Sequence, residues 1–372
     1  MIYLDNNATT PVAPEVANVV CKSLKDCFGN PSSSHPVGIK ARKTVTKGRE
    51  QVASLIGAKP DEILFTSGGT ESNNMAILGT ALRFRTGQII TSSIEHPSVA
   101  NPLKYLEGLG YNVLYAPVDN YGRVNVDYIK NKINSKTVLI TVMHSNNETG
   151  SIQPIAAIGK IARHKGVTFH CDAAQSVGKV PVQANNLNVD LLTVVSHKFY
   201  GPKGTGALYI RSGINVKPVI FGASHEKGLR PGTENVAAIA GLGRACRLAQ
   251  REMKERVGTM KHLSAKLLLL IKKDIPQIKL NGHPSKRLPN TLNLSFPGVP
   301  GSALLDKLKK DIAASTGSAC HAGQHSPSAT LKAMGISDED ALSAVRISLG
   351  RTNTEAQINR AAKLFVKAYK TL

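Results

Sequence analysis

From about residue 60 to 210, short runs of apolar and β-branched residues alternate with longer stretches whose apolar positions recur at helical spacing. That alternation predicts successive strand-helix units and a mostly parallel sheet. The runs at 62–66, 88–92, 113–116, 138–143, 167–171, 190–195 and 207–210 are expected to form one sheet of seven strands. Beyond about residue 250 the pattern changes to a long basic amphipathic helix near 251–272, a strand at 290–296, two helical stretches and a terminal helix from Thr354. The expected organisation is an N-terminal arm over 1–15 packing on the small domain, a large α/β domain over 16–250, and a smaller C-terminal α+β domain over 251–372.

With 372 residues, 41% of them hydrophobic and 19% charged, the chain is long enough for two packed domains. Its longest Leu/Ile run, 267–271, falls far short of the ~20 apolar residues a spanning helix needs. No leader-like segment opens the sequence, so a cytoplasmic protein without membrane association is expected. The net charge of +22 would attract anions, but the basic residues are dispersed and there is no Trp, so a dedicated nucleic-acid site is not expected. Five cysteines, Cys21, Cys27, Cys171, Cys246 and Cys320, are too scattered for a disulfide framework.

Candidate chemistry gathers at predicted strand ends. Thr66-Ser67-Gly68-Gly69-Thr70-Glu71-Ser72-Asn73-Asn74 follows an apolar strand and opens a helix. Glycine-freed amides and hydroxyls at a helix N-terminus suit a phosphate, and the segment lacks the Lys of a Walker A loop. Asp172 closes another strand, where a carboxylate can keep a ring nitrogen protonated. Lys198 follows a third, within Val195-Ser196-His197-Lys198. A lysine there is costly unless neutralised or bonded, and a Schiff base with an aldehyde cofactor does that. Phosphate cup, carboxylate and lysine at the ends of one sheet together point to pyridoxal 5'-phosphate.

The segments 5–11 (DNNATTP), 67–73 (SGGTESN), 95–96 (EH), 146–150 (NNETG), 172–175 (DAAQ), 197–198 (HK), 230–235 (RPGTEN), 317–320 (GSAC) and 346–351 (RISLGR) follow one another in register. Through them the chain resembles, nearly end to end, the cysteine desulfurases and selenocysteine lyases of the class V aminotransferase family. The spacing from Cys320 to Arg346 is similar to that of the long catalytic-loop group. The resemblance implies a fold type I homodimer with pyridoxal phosphate in a Schiff base on Lys198. Asp172 would pair with the pyridine nitrogen, His96 would stack on the ring and move protons, and Gln175 would bond the phenolic oxygen. Gly69, Thr70, Ser196, His197 and, from the other subunit, Thr233 would hold the phosphate. Asn147 and Arg346 would clamp the substrate carboxylate, and Cys320 would take sulfur from L-cysteine as a persulfide, leaving L-alanine. An iron-sulfur scaffold or another sulfur-acceptor protein would receive it.

Two positions qualify the likeness. Val195 stands where many desulfurases carry a phosphate-binding Ser, which resembles the selenocysteine lyases and keeps L-selenocysteine as the alternative substrate. Ser196, one place later, points to the opposite face if the segment stays extended. Cys320, His321 and His325 supply three potential zinc ligands without a fourth, so no metal site is expected.

Overall fold

The computed structural model describes residues 1–317 and 326–372. Its strands are β1 (Ile2–Tyr3), β2 (Ile63–Thr66), β3 (Gln88–Ser92), β4 (Asn112–Ala116), β5 (Thr137–Thr141), β6 (Thr168–Asp172), β7 (Leu191–Val195), β8 (Gly206–Ile210), β9 (Lys279–Asn281), β10 (Thr291–Ser295), β11 (Ile312–Ala313) and β12 (Ala344–Ser348). Seven of them form the expected sheet, in the order β2-β8-β7-β6-β5-β3-β4. Only β8 runs against its neighbours. Two antiparallel steps restore the direction of β2, so β2, β3, β6 and β7 all end at one edge. That edge is where an α/β sheet binds ligands.

Two large apolar cores dominate the packing among the described residues. One lies on one face of the large sheet and includes Ile56, Phe65, Ile140, Phe169 and Leu192, while smaller clusters around Ile89 and Leu139 and around Leu64 and Leu191 cover the other face. The second core gathers Leu267, Leu294, Ile347 and Phe365 around the antiparallel sheet β12-β10-β9. A 39-residue helix, Val236–Asp274, runs through both, contributing Ile239 and Leu242 to the first and Leu263 and Ile271 to the second. The boundary expected at 250/251 falls within this helix. Its first half lacks an amphipathic stripe because it is covered on several sides, and Gly48 and Gly243 permit the closest approach to the helix Pro36–Ile56.

The N-terminal segment crosses from one core to the other. β1 adds to β11 in parallel, Ile2 and Leu4 are buried in the second core, and Thr10 N donates to His197 O. Burying two such aliphatic side chains contributes roughly 1.5–3 kcal/mol each, which anchors the intervening polar residues. β1, β9, β11 and β12 were not expected from the sequence. Among the described residues no helix is long and apolar enough to cross a membrane.

Candidate active site

Asp172 at the end of β6, the N-terminus of the helix Gly69–Ala81 after β2, His96 after β3, and the turn Ser196–Lys198 after β7 enclose a cavity of about 260 Å³. Gly69, Thr70, His96, Asn147, Asp172, Gln175, His197 and Lys198 line it together, although they come from widely separated parts of the chain.

The Asp172 carboxylate is fixed at both oxygens. Oδ2 accepts from Asn73 Nδ2 at 2.8 Å and Oδ1 from Ala174 N at 2.9 Å. Asn73 Oδ1 accepts from Thr193 Oγ1, and Thr193 Oγ1 lies 3.1 Å from His170 Nε2. The hydroxyl proton of Thr193 is committed to Asn73, so His170 Nε2 carries a proton and donates to Thr193. Its Nδ1 then accepts from Thr141 Oγ1 at 2.8 Å. Burial holds His170 neutral, its pKa pushed down to about 4.

The same bookkeeping of protons places one on His96. Asn73 Nδ2 also donates to Ser98 Oγ, leaving that hydroxyl to donate to His96 Nδ1 at 2.8 Å. Ser98 N donates to the same nitrogen, because His96 caps the helix Pro97–Gly108. The neutral imidazole therefore carries its hydrogen on Nε2. Burial lowers the pKa of His96, Asp172 opposing and Lys198 reinforcing that shift. Behind it, Glu95 accepts from Met143 N and from Ser92, and burial raises its pKa to about 8.

Lys198 Nζ donates to Asn7 O and Ala8 O, each at 2.8 Å. His197 Nδ1 lies 3.1 Å from Thr9 Oγ1, and burial with the neighbouring Lys198, Lys203 and Lys179 lowers its pKa to about 4. Opposite, the first amides of the helix Gly69–Ala81 have no intrahelical acceptor and carry the positive end of the helix dipole. A Cβ on Gly69 would stand 2.7 Å from Val195 Cγ2, so only glycine keeps the amides this close to the strand end.

The residues present fit pyridoxal phosphate: anion-binding amides at one side, a fixed carboxylate for a protonated ring nitrogen, a primary amine, and an imidazole beside them. Four sequence expectations call for further placement. Val195 lines the cavity, whereas Ser196, expected to bind the cofactor, does not; its buried Oγ has no partner among the described residues and faces Gly201. Arg346 on β12 pairs with Asp5 at 2.8 Å and donates to the carbonyl of Asn147, so it reaches the cavity wall through a lining residue. Thr233 is exposed and does not line this chain's own cavity. Cys320, with His321 and His325, lies outside the described residues. Asn7, Asn73, Ser98 and Thr193, which tie the site together, were not singled out for such roles; Asn7 and Asn73 belong to the motifs at 5–11 and 67–73, whereas Ser98 and Thr193 lie in none of the quoted segments.

These protonation states have a consequence for acid stability. Unfolded imidazoles titrate near 6.5, whereas His144 and His170 are pushed by burial to about 4. Between those values the unfolded chain takes up the protons, so stability falls as pH falls. Glu95, raised to about 8, acts oppositely, losing its contribution as pH rises above about 4.5 and through 8. Substituting His170→Gln should remove roughly 1.4 kcal/mol per pH unit from the acid limb. Thermal melts between about pH 4.5 and 6.5 check this, and a slope equal to the wild type contradicts a neutral buried His170.

A family model described as Aminotransferase class-V matches residues 2–361. The chain is 45% identical over 362 residues to cysteine desulfurase IscS of Methanosarcina thermophila, covering 96% of this chain and 89% of that protein. Among solved structures, a NifS-like protein superposes with TM-score 0.94 and 37% identity over 100% of both chains. SspA in complex with cysteine is similar too, with TM-score 0.81 and 36% identity over 94% of this chain and 99% of that one.

Proposed function

The chain belongs to the class V aminotransferase family, and on that premise we infer that it is a pyridoxal-phosphate-dependent cysteine desulfurase. It converts L-cysteine to L-alanine and supplies the sulfur for iron-sulfur cluster assembly. The observation that carries this reading is the convergence of Lys198, Asp172, His96 and the Gly69 amides on one cavity. L-Selenocysteine is not favoured, since the similar proteins are named for cysteine.

Pyridoxal phosphate, when bound, supplies a sink for the electron pair left at the substrate α-carbon. Lys198 would be the amine that holds it and the base at that carbon, and Asp172 would keep its ring nitrogen protonated. His96 holds a proton on Nε2 at the cavity wall. Asn147 and Arg346 receive the substrate carboxylate, the guanidinium offering two parallel donors. Cys320 as thiolate attacks the substrate sulfur: an S–S bond forms as the C–S bond breaks, the electron pair passes to the carbon fragment, and a proton there completes alanine. Thr233 reaches the cofactor phosphate of a second subunit, which makes the homodimer the working unit. The persulfide passes to an acceptor protein, and the net charge of +22 steers an acidic one.

The test is product formation. With pyridoxal phosphate, L-cysteine and a dithiol, the wild type should release alanine and sulfide in equal amounts. Cys320→Ala should lose at least about 100-fold in both while retaining the visible spectrum of the bound cofactor. Alanine release undiminished by Cys320→Ala refutes the persulfide step, and no alanine from the wild type refutes the function.

A further inference from the structure

A buried amine with no place in the reaction above stands beside the cofactor cavity. Lys179 is 5% exposed, and its Nζ donates to Gln175 Oε1 and Asn7 Oδ1, each at 3.0 Å. Neither partner is a carboxylate, although burying an ammonium costs several kcal/mol without compensation. Among the described residues the charged groups acting on it are Lys198 and Arg346, both cationic, and with burial as the main cause they hold its pKa well below the usual lysine value. A position so unfavourable for lysine calls for a reason.

Gln175 supplies it. This cavity-lining side chain is gripped at both ends: Oε1 by Lys179, and Nε2 by Asn7 O, to which it donates at 3.0 Å. Lys179 Nζ is committed as donor to both of its oxygen partners, and a peptide oxygen can only accept. Turning the amide over therefore sets donor against donor at one end and acceptor against acceptor at the other. Asn7 is itself immobilised: its Oδ1 also accepts from Asn290 Nδ2 at 3.1 Å, and its Nδ2 donates to Thr291 Oγ1 at 2.9 Å.

We propose that Lys179 is a positioning residue that locks the Gln175 amide so that it presents N–H, not C=O, to the pyridoxal phosphate ring oxygen. The inference rests on the cofactor reading above and adds to it a group that never touches the cofactor. Without Lys179 the carbonyl edge is free to turn inward, where it disfavours an anionic ring oxygen. The pH at which the bound cofactor's visible absorbance changes should then rise.

The experiment is an absorbance-pH titration of holoenzyme for the wild type, Lys179→Met and Lys179→Gln, each also in a Gln175→Leu background. Lys179→Met should raise the midpoint by about one pH unit, the size of one charge-assisted hydrogen bond. Lys179→Gln keeps an N–H for Gln175 Oε1 and should raise it by only about half as much, so it tests the idea even if the methionine variant does not fold. Both shifts should vanish within roughly 0.3 units when Gln175 is absent, because Lys179 acts through it. A midpoint unmoved by either substitution, or one that moves equally without Gln175, overturns the proposal. Failure of the cofactor reading looks different: the wild type then shows no visible band that Lys198→Ala removes.

Discussion

Substituting Lys198→Ala is expected to lower alanine formation from cysteine by about 10⁴-fold, the upper range for loss of a positioned base, and to abolish the cofactor's visible band at neutral pH. The amine follows β7 and donates to the carbonyls of Asn7 and Ala8. Those bonds contribute about 1 kcal/mol each, and removing the cation also relieves its repulsion with Lys179. The melting temperature of the cofactor-free protein should therefore stay within about 3 °C of the cofactor-free wild type, separating a catalytic loss from unfolding. Steady-state alanine assays with cofactor, and thermal melts of the same proteins without it, check both halves. Residual activity within about tenfold of the wild type removes Lys198 from the mechanism.

The second large effect is at Asp172, where substitution to Asn should cost on the order of 10³-fold in kcat/KM. The negative charge that would pair with the ring nitrogen disappears, and the damage does not stop there. Both Asp172 oxygens accept from groups that can only donate, Asn73 Nδ2 and Ala174 N. An asparagine offers one oxygen and one NH₂, so one of those donors meets another donor. We expect the disturbance to spread along Asn73 to Ser98 and His96, since Asn73 Nδ2 serves Ser98 as well. Asp172→Glu keeps the charge but displaces it by a methylene and should recover part of the loss. Kinetics together with cofactor retention on gel filtration distinguish these outcomes; an Asn variant within about tenfold of the wild type contradicts the role.

Much of this architecture was already readable along the chain. Six of the seven strands of the large sheet are buried on both faces, the edge strand β4 being partly exposed, so their apolar β-branched runs stand out whatever packs on them. Phosphate amides, Asp172 and Lys198 sit at strand ends because that is where such a sheet leaves backbone and side chains open to a ligand. Local pattern failed where burial or geometry broke the period. The first half of the helix Val236–Asp274 is covered on several sides and shows no stripe, and Arg346 interrupts the apolar pattern of β12 at its midpoint. Ser196 escapes the simple alternation because the chain leaves β7 for a tight turn there, sending its hydroxyl towards Gly201 while Val195 faces Gly69.

Local sequence therefore determined which elements form and which chemical groups stand at their ends. Tertiary structure alone decided how those groups are wired. Asn7 meets Gln175, Lys179, Lys198 and Asn290 only because the N-terminal segment, anchored by Ile2 and Leu4, lies across the edge of the large sheet. Hydrogen bonds between residues more than a hundred positions apart carry no periodicity. They follow from where the apolar anchors force the polar segments to pass.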